Sequence, residues 1–76
     1  MKELVETIAK ALVDHPDEVR VTETEDEETV TLALSVHGSD MGKVIGKQGR
    51  VAKSIRSVVN AAGQHQKKRI RLDIVD

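Results

Sequence analysis

Met41-Gly42-Lys43-Val44-Ile45-Gly46-Lys47-Gln48-Gly49-Arg50 specifies, in order, a short helix, a break, a cation and the start of a second helix. Two glycines three positions apart, Gly46 and Gly49, let the backbone turn sharply with no Cβ in the way of an approaching group. A sugar-phosphate chain can then lie directly against main-chain N–H groups. Lys47 and Arg50 put positive charge where phosphates would lie, and the helix that begins there adds the positive end of its dipole. A bare G-x-x-G is common and weakly informative. The longer string is far more specific, because it also fixes the elements on either side.

Upstream of this stretch, Val30, Leu32, Leu34 and Val36 alternate with Thr29, Thr31, Ala33 and Ser35, the period of a strand with one buried face. Val19 and Val21 alternate with Arg20 and Thr22 in an earlier strand, and Glu25-Asp26-Glu27-Glu28 form a solvated turn between the two. Gly38-Ser39-Asp40 breaks the second strand, and Ser39 or Asp40 is expected to cap the short helix. Before all of this, Leu4, Val5, Ile8 and Leu12 make an apolar stripe at helical spacing, opposite Glu3, Glu6, Lys10 and Asp14. Pro16 ends that helix.

Downstream, helical spacing predicts one face of Val51, Ile55, Val58, Val59 and Ala62 and an opposite face of Arg50, Lys53, Arg56, Ser57 and Asn60. Gly63 is the expected helix stop. A last strand follows Lys67-Lys68-Arg69, with Ile70, Leu72 and Ile74 inward and Arg71 and Asp73 outward. The order is αββααβ. Two strands joined by a short turn run antiparallel, so a third in the same sheet lies parallel to one of them. The expected fold class is α+β: a two-layer sandwich with a three-stranded mixed sheet and helices on one face.

The 76 residues carry 12 basic and 13 acidic groups, a formal charge of −1 that hides an asymmetry. Residues 1–40 hold three basic groups against eleven acidic ones, and residues 41–76 hold nine against two, so the halves balance at −8 and +7. A positive half centred on the G-x-x-G turn points to an anionic partner. The length predicts one domain over residues 1–76, whose core supplies roughly 3–5 kcal/mol. With no cysteine, a disulfide framework and thiolate chemistry are excluded. No apolar run approaches the ~20 residues of a membrane span, so a cytoplasmic location is expected. No cofactor is expected.

Taken together, the chain resembles a type II K-homology (KH) domain over essentially its whole length, and in particular the small bacterial KH proteins of the KhpA (YlqC) family. Val44-Ile45-Gly46-Lys47-Gln48-Gly49-Arg50 matches that family's signature loop, and αββααβ matches the type II order. The resemblance implies single-stranded RNA in a narrow cleft, with the two loop-joined helices as one wall and the last strand and its neighbouring loop as the other. KH loops clamp about four nucleotides. Carried over, Gly46, Lys47, Gln48 and Gly49 are the backbone clamp, Arg50 and Lys53 lie on the following helix, and Gly42 and Lys43 on the preceding one. One of Val44 and Ile45 would line the cleft and the other the core. Arg56, Arg69 and Arg71 are further candidates. The resemblance also implies a homodimer and pairing with a larger KhpB/Jag-type RNA-binding protein, and a role as RNA chaperone or post-transcriptional regulator.

The sequence contains no Phe, Tyr or Trp, so base stacking on aromatics, worth ~1–3 kcal/mol per base, is unavailable. One copy should therefore bind weakly and gain from multivalency. Other chemistries fit poorly. Gly38 to Val44 lacks the spacing of a nucleotide-binding P-loop and has Val44 where a magnesium-binding hydroxyl belongs. His15, His37 and His65 lack ligand spacing. An enzyme is not expected. The main alternative is a protein-interaction scaffold with a KH fold, against which stand the retained Lys47 and Arg50.

Overall fold

The computed structural model describes residues 1–63 and 67–75. Its elements are helix α1 (Lys2–Leu12), strands β1 (Arg20–Glu25) and β2 (Thr29–Ser35), helices α2 (Met41–Ile45) and α3 (Arg50–Ala62), and strand β3 (Arg69–Val75), with short 3₁₀ turns at Pro16–Glu18, Gly38–Asp40 and Lys47–Gly49. This is the αββααβ order and the α+β class that the alternation and helical spacing predict.

The hairpin between β1 and β2 is closed by Asp26. Its N–H donates to the Thr29 carbonyl at 2.9 Å, and its Oδ1 accepts the N–H groups of Glu28 at 2.8 Å and Thr29 at 2.6 Å. Those two backbone donors, Glu28 first and Thr29 second, hold the Asp26 carboxyl below its ordinary pKa. The acidic turn is thus built around one carboxylate that serves the backbone.

The sheet has the order β1-β2-β3, with β2 antiparallel to β1 and parallel to β3. In the central strand every second residue is buried, Val30, Leu32 and Leu34, as the alternation requires. Helices cover only that face. Val5 and Ala9 from α1, Val44 from α2, Ile55 and Val59 from α3 and Leu72 from β3 close the core against it.

Two helical faces differ in detail from the sequence reading. On α1 the buried pair is Val5 and Ala9, while Leu12, expected in the stripe, is 39 % exposed. On α3 the buried set is Ala52, Ile55 and Val59, and Val58 and Ala62 are exposed. At 100° per residue, Val59 falls between Ala52 and Ile55, whereas Val58 lies about 60° further round, on the helix shoulder. Leu12 and Val58 meet Ile8, Val51 and Ile55 in a shallow apolar groove between α1 and α3, of about 390 Å³. No helix among the described residues is long and apolar enough to cross a membrane.

Candidate nucleic-acid interface

The turn between α2 and α3 is built from three consecutive backbone requirements. The Gly46 N–H donates to the Gly42 carbonyl at 2.8 Å and ends α2. Gly46 itself has φ 76° and ψ 173°, a region essentially restricted to glycine. Gln48 follows at φ 59° and Gly49 at φ 74°, both left-handed, and the Gly49 N–H donates back to Gly46 at 3.1 Å. Gln48 is the one non-glycine residue with positive φ among those described. This tight reversal leaves Lys47 and Gln48 exposed at its tip. No side chain caps α3, and the Arg50 N–H donates to the Lys47 carbonyl within the turn.

Lys47, Arg50 and Lys53 make no ion pair among the described residues. Lys53 lies on the solvent face of α3, between the turn and Arg56. Arg50 turns toward the opposite shoulder and lines the apolar groove between α1 and α3. Arg56, Val59 and Asn60 of α3 and Ile70 to Asp73 of β3 line a crevice of about 310 Å³. From Arg50 to Asn60 the helix rises about 15 Å, the axial distance between the turn and the far end of the crevice.

The α2 residues divide sharply. Val44 is fully buried and Ile45 is 37 % exposed, so Val44 belongs to the core and Ile45 to the surface. Gly42 is exposed with open space about it, so a side chain would be tolerated there. Lys43, a candidate on the helix before the clamp, is an ion-pair partner in this structure. Its Nζ bonds the Asp14 carboxylate and lies 3.6 Å from Asp40 Oδ1. The hydrogen bond to Asp14 raises its pKa, outweighing partial burial, and the charges of Asp14 and Asp40 add to it.

The sequence allows either Ser39 or Asp40 to cap α2, and no side chain caps it. Asp40 is completely buried, and its carboxylate accepts the N–H of Asp14 at 3.3 Å and of His15 at 3.0 Å. Burial pushes its pKa up, but those two N–H donors, His15 and Lys43 outweigh it and hold the carboxyl below its ordinary value. The carboxylate thereby ties the segment after α1 to the start of α2. His15 and His37, isolated in the sequence, are brought together with ring centroids 4.2 Å apart. The described residues hold no group of three or more metal-ligating side chains. His65, and part of the loop expected as a cleft wall, lie outside the described residues.

On β3 the alternation sends Arg69 and Arg71 to the face away from the helices, where Arg71 Nε donates to Asp73 Oδ1 at 3.1 Å. Arg71 still reaches the crevice rim, while Arg69 does not line it. Arg56 donates from Nε to the Leu72 carbonyl at 3.3 Å and so bridges the two walls.

A model of the KhpA/KhpB KH domain matches residues 2–74. The chain belongs to the KhpA/KhpB KH-domain family. It is 66 % identical over 76 residues to the RNA-binding protein KhpA of Halalkalibacterium halodurans, with both chains covered in full. It is 56 % identical over 75 residues to the same-named protein of Clostridium acetobutylicum, covering 99 % of this chain and 100 % of that one. For Bacillus subtilis the identity is 50 % over 76 residues, covering 100 % of this chain and 94 % of the relative. Among solved structures, Era bound to nucleotides 1506–1542 of 16S ribosomal RNA superposes with a TM-score of 0.71 at 18 % identity, over 96 % of this chain and 28 % of Era. Aquifex aeolicus Era bound to GDP and AlF4⁻ gives 0.70 with the same coverage. These superpositions support the type II KH fold. The KhpA/KhpB family is not a family of enzymes.

Proposed function

We propose that this protein binds single-stranded RNA, holding about four nucleotides along the path from the Gly46–Gly49 turn to the α3/β3 crevice. The observation that carries the reading is the turn itself: positive φ at Gly46, Gln48 and Gly49 makes a tight reversal with Lys47 and Gln48 exposed at its tip, at the start of α3. Phosphates approach the backbone there, Lys53 and Arg56 continue the positive track, and Ile45 offers an aliphatic surface in place of an aromatic one. Relatives at 50–66 % identity that bear the name RNA-binding protein support the same partner.

Binding by one copy is weak, because the cleft stacks no aromatic ring on a base. Self-association would present two clefts at once and raise avidity. Exposed Leu12 and Val58, in the groove between α1 and α3, give a second copy apolar surface to cover. Pairing with a larger KhpB/Jag-type protein follows from the same need. In the cytoplasm such an assembly would act on transcripts as an RNA chaperone or post-transcriptional regulator. Competition between an unstructured RNA strand and a blunt duplex of the same sequence tests the cleft. The single strand should bind markedly tighter, and equal affinity would contradict the reading.

A further inference from the structure

Beyond the crevice the basic half of the chain is tied to the acidic half. Gly63, at the end of α3, and Ile70, at the start of β3, approach closely: a Cβ on Gly63 would stand 2.7 Å from Ile70 Cγ1. Ile70 and Asn60 therefore mark the end of the crevice remote from the Gly46–Gly49 turn. Glu25 pairs with Val30 and Val30 with Ile70, so the three form one row across the sheet, with Glu25 about 10 Å from Ile70 at two strand spacings. Lys68, two residues before Ile70, reaches across β2 to Glu25, with Nζ 3.0 Å from Oε1. Its charge also acts on Asp26, adding to the Glu28 and Thr29 N–H groups that lower that carboxyl. An RNA strand that leaves the crevice past Ile70 meets this ion pair next.

We propose that Lys68 is a latent phosphate contact that Glu25 cancels, and that this pair limits the length of RNA gripped to what the turn and the crevice hold. A phosphate drawn to the Lys68 ammonium arrives at the same time beside the Glu25 carboxylate, and at like distances attraction and repulsion are equal and opposite. Glu27 and Glu28, exposed on the same hairpin, add to the repulsion. The counterion that such a phosphate releases is recruited again by the freed carboxylate, so no net release drives the contact. At the other end of the path Lys47 and Lys53 make no ion pair among the described residues, and a phosphate there meets an uncompensated charge. Glu25 is 58 % exposed, and exposed pairs of this kind contribute little to stability, so breaking this one leaves the fold intact.

The inference rests on the RNA-binding reading above and is tested separately from it. A labelled, unstructured eight-nucleotide RNA is titrated by fluorescence anisotropy from about 50 to about 200 mM salt, and a four-nucleotide piece of it is measured by competition. The proteins are wild type, Lys68→Gln, Glu25→Gln, the Glu25→Gln/Lys68→Gln double variant and Glu27→Gln. Lys68→Gln should match wild type on both strands. Glu25→Gln should steepen the eight-nucleotide salt slope by about 0.7, so that its advantage over wild type shrinks about 2.6-fold across the salt range, and should keep the wild-type slope on four nucleotides. The double variant should return to the wild-type slope. Glu27→Gln removes the same charge from the hairpin without freeing Lys68, and should leave the slope unchanged. A flatter slope in Lys68→Gln alone would mean that Lys68 already holds a phosphate, and overturns the proposal. So does a Glu25→Gln slope equal to wild type, a gain that persists in the double variant, or an equal gain in Glu27→Gln, each of which leaves RNA binding itself intact. No wild-type binding to the eight-nucleotide strand overturns both.

Discussion

Val51 occupies the space that a side chain on Gly46 would need: a Cβ built there stands 2.8 Å from the Val51 backbone nitrogen and closer still to its Cγ2. The reversal before α3 is therefore closed by close approach as well as by dihedral angle. Gly49 is different, since its φ of 74° is left-handed but its surroundings are open. Gly46→Ala should cost about 2–4 kcal/mol from clash and backbone strain together. Gly49→Ala should cost about 1–2 kcal/mol from strain alone. Urea midpoints at an unchanged m-value measure both, and equal losses would contradict the role given to Val51.

Asp40 makes stability depend on pH. Its folded-state pKa is depressed below 3.8, so its contribution is fully present above the unfolded value and is lost as pH falls through the lower folded one. Asp40→Asn should be less stable than wild type at pH 7, with the gap narrowing as the medium is acidified below about pH 4. Asp26, depressed in the same direction, keeps a residual slope in the variant. Thermal unfolding from pH 7 to pH 2 checks this, and a constant gap would show that the Asp40 charge contributes nothing.

Lys43 is committed to Asp14 and Asp40, so removing it should cost stability and not a phosphate contact. With about three phosphates neutralised, the log-log salt dependence of single-strand binding should have a slope of about −2. Lys47→Gln and Lys53→Gln should each flatten it by about 0.7, while Lys43→Gln leaves it unchanged. A flattened slope in Lys43→Gln would return that lysine to the interface.

The fold was legible because its decisive signals are local. The period of two in β2 and the glycine spacing of the turn involve neighbours in sequence, and both survive folding unchanged. The Asp40 tether was not legible: its partners lie 25 and 26 residues away, and an aspartate before a helix ordinarily reads as a cap. Val44 and Ile45 were not separable because a five-residue helix spans too few turns for periodicity to choose a face. Val58 reads as core by residue type, yet its place on the α3 shoulder sends it to the groove beside Leu12. For Arg71 the alternation of β3 does indicate the outward face, and the structure keeps it; its bond to Asp73 on that face is what the sequence does not show.

Groove exposure gives the self-association proposal its test. Val58→Glu puts a charge among Ile8, Leu12, Val51 and Ile55 without touching the crevice. Sedimentation equilibrium should show dimer for the wild type at micromolar concentration and monomer for the variant. A wild type that stays monomeric into the high-micromolar range, or a Val58→Glu protein that sediments like it as dimer, would place self-association elsewhere or remove it.

The tip of the turn carries the central claim. Replacing Lys47 and Gln48 together by Asp sets two negative charges against the phosphates and leaves Gly46 and Gly49 in place. Aspartate is also among the residues that tolerate the left-handed conformation held by Gln48. The decisive measurement is the affinity of Lys47→Asp/Gln48→Asp for single-stranded RNA, taken beside its circular-dichroism spectrum and urea midpoint. Loss of binding with spectrum and midpoint preserved is the predicted result; parental affinity in a folded double variant would contradict the turn as the RNA site.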